Sequence, residues 1–593
     1  MPLNTQVYEV AKWLGVSDLK PTQLEGREVS ECVNLYPRGN TEIAELYEVR
    51  GGSTRVASRL SPDAPLDGLD TFRIQGTAFL SGIHNGDVID IFTGLAYSGG
   101  EDRFTYQNET NGVFVSDRYI MGDGVNQNVF VTADGVFQVM SEQVSGFSGS
   151  LVPIGSGGSI PAGSYTYRFA AFNFEGAQAQ PSSATDSVTT TNNDSVFIVG
   201  IPQSNDPDVT GIGVFRSNDE VTWYLVGTAT PGQIAMTDTM SQATAITQTA
   251  LRVGANATSL NRMVPCRYFD VKDNRVFCAY SLHVSGATNI VYATRIGEFG
   301  IAPTFQDSTD NSDGFQFELP DTVTGLKTHL GSVATFTADE GYLLIGDAPS
   351  NFAQGKFSHV GCVAHRTIKS LFGFLIWLSP DGVYAYNNAN LEKISDGIAN
   401  ILDAISAADK AQASAAVWED RYYLFFPDQA WVFHVKYRQW TEYDGELVKC
   451  PCVLPYSATG NKRLFAAHTT GGSVYELEVG TTDSSQSIDT VLQTGAWNLG
   501  FPFRLKMVRY VGASWGILPS GSATIKVYRE TGNLIQTIVY PLDTASYSGQ
   551  TVTTMLKPAV GKAKSEHFAL RIEASVDQPY QILDIGLHHR ILR

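Results

Sequence analysis

His359-x-x-Cys362-x-x-His365 sets three metal-ligand side chains at short spacing. A zinc site takes four ligands, or three and a water. No second ligand cluster lies near in sequence, and steps of three alternate faces on a strand, so the run reads as structural. Asp307, Asp310, Asn311 and Asp313-Gly314 have the composition of a calcium loop. In EF-hand register the first ligand would be Thr309 and the bidentate twelfth would be Pro320, so the ligand set fails. Gly155 to Gly163 is glycine-rich but opens no strand–helix unit. The chain contains no G-x-x-x-x-G-K-[ST] and no H-E-x-x-H, the patterns that would cradle phosphate or hold catalytic zinc.

Ser217-Asn-Asp219-Glu-Val-Thr222-Trp223 resembles a shortened Asp-box, the hairpin of sialidase propellers. It lacks the central glycine and occurs once. A glycosidase would need two carboxylates about 5–10 Å apart across a cleft, which sequence cannot locate. Cys32, Cys266, Cys278, Cys362, Cys450 and Cys452 form no disulfide framework. They read as buried free thiols made in a reducing cytoplasm. No catalytic, cofactor-binding or metal residue is assigned, and no cofactor is expected.

The chain that must position any site has 593 residues, 41 Lys plus Arg and 60 Asp plus Glu, net −19. That balance argues against a general phosphate-backbone binder, which needs a basic face. Charged residues make up 17%, below the roughly 25% usual in soluble domains. Much surface is therefore Ser, Thr, Asn and Gln, or is covered by other subunits. Residues 1–149 carry net −10, 150–250 net −6, 251–490 net −8 and 491–593 net +5. The last stretch reads as a separate basic module. Its Arg504, Lys506, Arg509, Arg571, Arg590 and Arg593 are candidate contacts to the acidic remainder or to a neighbouring protein rather than to DNA. The longest apolar run, Leu371 to Leu378, is far shorter than the ~20 residues of a membrane span. The first ten residues carry Glu9 and no basic stretch, so no secretory signal is expected.

Fifty-six glycines, 26 tyrosines and 31 phenylalanines suit an all-β chain. Ser145 to Gly163 reads as a Gly/Ser-rich linker. Beyond it, Ser164 to Phe172 alternates polar and apolar, followed by the short β runs Ser195–Val199, Gly213–Arg216 and Trp223–Val226. These predict an immunoglobulin- or fibronectin-like β-sandwich inserted at 150–250. Two loose repeats mark the rest. One is a turn with Val and an aromatic, in Asn111–Phe114, Asp134–Phe137, Asp381–Tyr384 and Gly471–Tyr475. The other is a polar turn, Arg and a strand, in Asp273–Phe277, Glu419–Tyr423 and Asn461–Phe465. Arg421 and Arg463 lie 42 residues apart, near the ~40–50 of propeller blades. The expected fold is all-β: a propeller-like body built from 1–149 and 251–490, the inserted sandwich, and a C-terminal β module at 491–593. One helix is expected after Ser395, from Ile398, Ile401, Leu402 and Ile405.

Glu31-Cys-Val-Asn-Leu-Tyr-Pro37 resembles a segment of the tail nozzle, or packaged-DNA stabilisation, proteins of short-tailed bacteriophages (tail tubular protein B-like). Val360–Thr367, Ile376–Tyr384, Glu392–Ser395 and Ala430–Thr441 resemble later parts of the same family, in order. The insert from Ile160 resembles sandwich modules of phage structural proteins. The likeness spans about Glu31 to Thr441 and departs at the insert and the basic module. It implies a non-enzymatic virion protein of the tail, assembled in the host cytoplasm. The implied form is a hexameric ring below an adaptor ring, beside tail fibres or spikes. Double-stranded DNA would pass through it without sequence-specific binding. The alternative carried alongside is a tail receptor-binding or carbohydrate-degrading protein.

Overall fold

A computed structural model describes the chain outside residues 1–5, 11–14, 17–27, 39–45, 57–58, 75–76, 106–108, 116–117, 127, 133–134, 139–145, 156, 174–180, 205–208, 252–263, 283–286, 295, 297–313, 349, 455–461, 500–503, 517–521, 530–532, 542–551, 559–563, 578–579 and 592–593. The protein is all-β. Its body consists of four-stranded antiparallel meanders, each with strands in chain order, spanning 66–96, 111–138, 268–318, 325–358, 369–393 and 414–443. A seventh takes three strands from 448–477 and its fourth, Ser53–Arg55, from near the N-terminus. The first strands of successive meanders adjoin one another, and Val448–Leu454 of the seventh returns to Leu66–Ile74 of the first. Between the fourth and fifth the link is a hydrogen bond, His329 Nδ1 to Ser370 Oγ at 3.0 Å. Borrowing Ser53–Arg55 ties the two ends of this run of meanders together.

Local sequence explains the hairpins. The first and second strands of three meanders are joined by two-residue turns at Asp273-Asn274, Leu330-Gly331 and Phe372-Gly373, with both φ angles positive in each. Such turns match the twist of the flanking strands. Asp, Asn and Gly tolerate the conformation, whereas Leu330 and Phe372 are unusual occupants. Arg275, Arg421 and Arg463 each open the second strand of their meander, so this repeat marks equivalent positions. The other repeat does not. Asn111 opens a first strand, Gly135 a fourth, and Gly382 and Val474 third strands.

The insert lies between the second and third meanders. Ser150–Ile154, Ser195–Val199 and Ala235–Asp238 make one sheet. Val188–Thr190, Gly163–Asn173, Val209–Ser217 and Tyr224–Ala229 make the other. Tyr167, Phe169, Ile198, Ile212 and Val214 fill the space between them. Ser150–Ile154, part of the stretch read as linker, is thus an edge strand paired with Ser195–Val199.

The C-terminal stretch departs from the charge boundary. Its strands do not close on themselves. Gln581–Ile591 pairs with Leu46–Val49 and with Gln6–Val10, and Ile488–Thr494 pairs with Glu28–Val33. Glu28–Val33 in turn meets Gln439–Tyr443, so the sixth meander runs on into a ten-stranded sheet. Trp515, Tyr540, Ile572 and Leu587 share one continuous apolar core with Ile376, Leu378, Tyr422 and Leu424. The strands Gln6–Val10, Glu28–Val33, Leu35–Arg38 and Leu46–Val49 therefore belong with the strands that follow Ile488. The +5 charge at 491–593 reflects side-chain composition and not a packing boundary.

The expected helix is shorter than its apolar spacing suggests. A 3₁₀ turn at Asp396–Ile398 leads into α-helix Ala399–Ala404. Ser395 Oγ does not cap it but accepts from the Val383 N–H at 2.9 Å, pinning the turn to the fifth meander. Ile398, Leu402 and Ile405 are buried as their spacing implies.

Candidate functional site

The ring of first strands surrounds a cavity of about 360 Å³, to which each of the seven contributes: Asp70, Asn111, Phe269, Lys327, Lys369, Val417 and Cys452. His365 and Arg366, from the turn preceding the fifth meander, complete the wall. Three cations thus meet on the axis of a chain whose net charge is −19.

Their surroundings differ. Arg366 donates to Asn111 Oδ1 at 3.0 Å and to the Asp67 and Thr110 carbonyls at 2.7 Å each. It also reaches Cys450 Sγ at 2.6 Å and faces Glu109 at 3.4 Å. One guanidinium so joins the first, second, fifth and seventh meanders. Lys327 pairs with Asp270 at 2.9 Å, and that carboxylate holds its amine above the usual lysine range. The Lys369 amine makes no hydrogen bond or ion pair among the described residues. Burial, then the neighbouring Lys327, bring its amine down to about 8. Asp70 accepts from the Tyr119 hydroxyl and from the Thr71 N–H, while burial raises its carboxyl above the usual range. Burial likewise pushes the Cys452 thiol up and keeps His365 neutral, its pKa well below the ordinary value. The thiol is no thiolate nucleophile at neutral pH. The arrangement suits charge recognition.

A second polar cluster is structural. Asn34, at φ 57°, donates to the Asp444 and Asp489 carbonyls at 2.8 and 2.6 Å. Its Oδ1 accepts from Arg50 Nε at 2.7 Å and from the Asp444 N–H at 2.9 Å. Arg50 then pairs with Asp483. Tyr36 and Tyr423 both donate to Glu478 Oε1, at 2.5 and 3.1 Å, and the Gly51 N–H donates to its Oε2 at 3.0 Å. The Glu31–Pro37 segment is thereby the joint between the closing strand, the sixth and seventh meanders and the terminal sheets.

The sequence-derived candidates are scattered. Lys506 is buried and donates to the Glu566 carbonyl at 2.7 Å. Arg571 pairs with Glu31 and, at 2.7 Å, with Glu573. Lys506 is thus spent on a neighbouring C-terminal carbonyl, and Arg571 on its own strand's Glu573 and on Glu31 of the N-terminal strand Glu28–Val33. Arg504 is exposed, and Arg509 and Arg590 are half-buried on adjacent strands. Arg593 lies outside the described residues, as do Asp307 to Asp313. Cys362 is buried, with its thiol toward the Ala364 carbonyl, His359 is exposed, and His365 lines the axial cavity. Asp219 closes its turn by accepting from the Val221 and Thr222 N–H groups at 2.9 and 3.0 Å. Sequence reading missed Lys327, Arg366 and Lys369, which seven-fold closure alone brings together.

No family model matches the chain, and no curated protein matches it. Similar solved structures include Sqt1 of Saccharomyces cerevisiae, at 8% identity and TM-score 0.33, covering 73% of this chain and 100% of that one. An exo-β-1,3-galactanase of Phanerochaete chrysosporium covers 91% and 100%, at 8% identity and TM-score 0.20. PorZ of Porphyromonas gingivalis covers 92% and 86%, at 8% identity and TM-score 0.24. Likenesses this low carry no functional argument. Among the described residues no helix is long and apolar enough to cross a membrane.

Proposed function

We propose that this chain is a structural subunit of the tail of a short-tailed bacteriophage. It forms the nozzle or hub ring in which genomic DNA is retained and through which it leaves. The observation that carries this reading is the role of Glu31–Pro37, the segment that resembles the nozzle family. Through Asn34 and Tyr36 it locks the closing strand, the sixth and seventh meanders and the terminal sheets into one body. A rigid, joint-locked subunit is what a ring under the pressure of packaged DNA requires.

Two further features support it. The axial cavity has the size of a small-molecule site and is crossed by the Arg366 contacts, so a duplex would run between copies and not through one subunit. Leu330 and Phe372 are 62% and 69% exposed at the tips of neighbouring hairpins, apolar surface of the kind buried between subunits. Six copies in head-to-tail contact close into a ring when the rotation permits. The DNA path is acidic or neutral polar in this reading, since a basic wall would hold the phosphates through counterion release. No catalytic step is involved. Electron microscopy of the assembled tail tests the proposal. Rings of this chain around DNA support it; a chain found at a fibre tip, or degrading surface carbohydrate, would replace it with the receptor-binding reading.

A further inference from the structure

We propose that the axial cavity binds a small oxyanion, the phosphate or carboxylate group of a metabolite-sized ligand, anchored on Lys369 and flanked by Lys327 and Arg366. Its volume, about 360 Å³, falls within the roughly 300–1,000 Å³ of small-molecule pockets. Asn111, Arg366 and Lys369 are half-buried, leaving their side chains accessible at its wall.

The three cations divide the work. Arg366 is committed to two carbonyls, Asn111 and Cys450, with Glu109 beside it. It therefore supplies a fixed positive wall. Lys327 is anchored by Asp270. Lys369 alone keeps all its N–H donors for a ligand among the described residues. The one carboxylate in the wall among the described residues, Asp70, is occupied by Tyr119 and Thr71, which leaves the Lys369 amine without a direct partner among them. Lys327, Asp70, Arg366 and Cys452 are the charged or titratable groups acting on it. An amine held in a low-dielectric cavity wall with no directly bonded counter-charge is costly. An oxyanion supplies that counter-charge through charge-assisted hydrogen bonds. The inference is independent of ring assembly, because every residue comes from one chain.

The test uses the full chain in chloride buffer at pH 7, with inorganic phosphate titrated at constant ionic strength. Calorimetry is expected to show saturable binding. Lys369→Met should weaken it at least about tenfold, as loss of one charge-assisted hydrogen bond implies, while Lys356→Met, outside the cavity wall, leaves it unchanged. In the unaltered chain, phosphate should also slow acylation of Lys369 relative to Lys356, read by peptide mass spectrometry. This second readout decides the matter if Lys369→Met does not fold. Absence of saturable binding, equal affinity in Lys369→Met, or unchanged acylation of Lys369 would overturn the proposal.

Discussion

Arg50 Nε donates to Asn34 Oδ1 across 2.7 Å, where the paired strands Leu35–Arg38 and Leu46–Val49 end side by side. Asn34 uses its positive φ to aim the amide at two carbonyls, and Arg50 carries the link on to Asp483. Asn34→Ala should therefore destabilise the body by roughly 2–4 kcal/mol, since it leaves the Asp444 and Asp489 carbonyls, the Asp444 N–H and Arg50 Nε without this partner. Arg59→Ala, which removes only an exposed pair with Asp63, should cost no more than about 0.5 kcal/mol. Urea titrations of both variants check the contrast.

The terminal sheets should not fold apart from the body. Truncation to residues 1–490 removes Trp515, Tyr540 and Leu587 from a core they share with Tyr422 and Leu424. The truncated chain is expected to aggregate, and residues 491–593 alone to lack a cooperative transition. Recovery of either as a monomer with a sharp melt would contradict the shared core.

Residues 146–251, by contrast, should unfold cooperatively on their own, because both sheets and their core lie within that span. Inside it Arg216 pairs with Asp238 at 2.7 Å with both side chains fully buried, and Tyr167 donates to the same carboxylate at 2.9 Å. Arg216→Ala should cost roughly 3–5 kcal/mol, because Asp238 is left buried and unpaired. Thermal melts of the isolated module measure it.

How much of this was legible in the sequence depends on distance along the chain. Alternation exposed the insert, and Arg421 and Arg463 mark the second strands of two successive meanders, because both signals are local. The closing strand Ser53–Arg55 pairs with residues over 400 positions away, and nothing in its three residues announces that. Lys327 and Lys369 are single lysines on unremarkable strands; only ring closure sets them opposite Asp70. The net charge of 491–593 suggested a boundary, yet strand pairing follows the alternating apolar residues of Phe568–Val576 and Gln581–Ile591 and ignores charge.

Acid should loosen the sixth meander. His434 is buried, bonded to Thr441 Oγ1 at 2.9 Å, and desolvation followed by Arg421 holds its pKa well below 6.5. The unfolded chain then binds more protons than the folded one as pH drops below about 6.5, so stability falls with pH there. His434→Gln should flatten that slope in melts between about pH 6.5 and 4.5. For Lys369 the folded pKa is also depressed, to about 8. Its penalty is present at pH 7 and relieved as pH rises through 8 toward the unfolded value. Without added phosphate, Lys369→Met should melt above the unaltered chain at pH 7, with the gap closing by about pH 10.

The exposed hairpin tips should matter for assembly and not for folding. Leu330 and Phe372 hold positive φ angles that Asn tolerates better. Leu330→Asn with Phe372→Asn should leave the monomer's melting unchanged or higher, yet reduce incorporation into tails, measured by sedimentation of assembled particles.

The central claim is that this chain forms a ring around DNA, and reconstruction of the assembled tail by electron microscopy tests it most directly. The account predicts six copies around a lumen lined by acidic or neutral polar side chains, with each subunit's own axial cavity closed to the duplex. A single copy per tail, or a lumen lined continuously by Lys and Arg with carboxylates confined to the exterior, would contradict it.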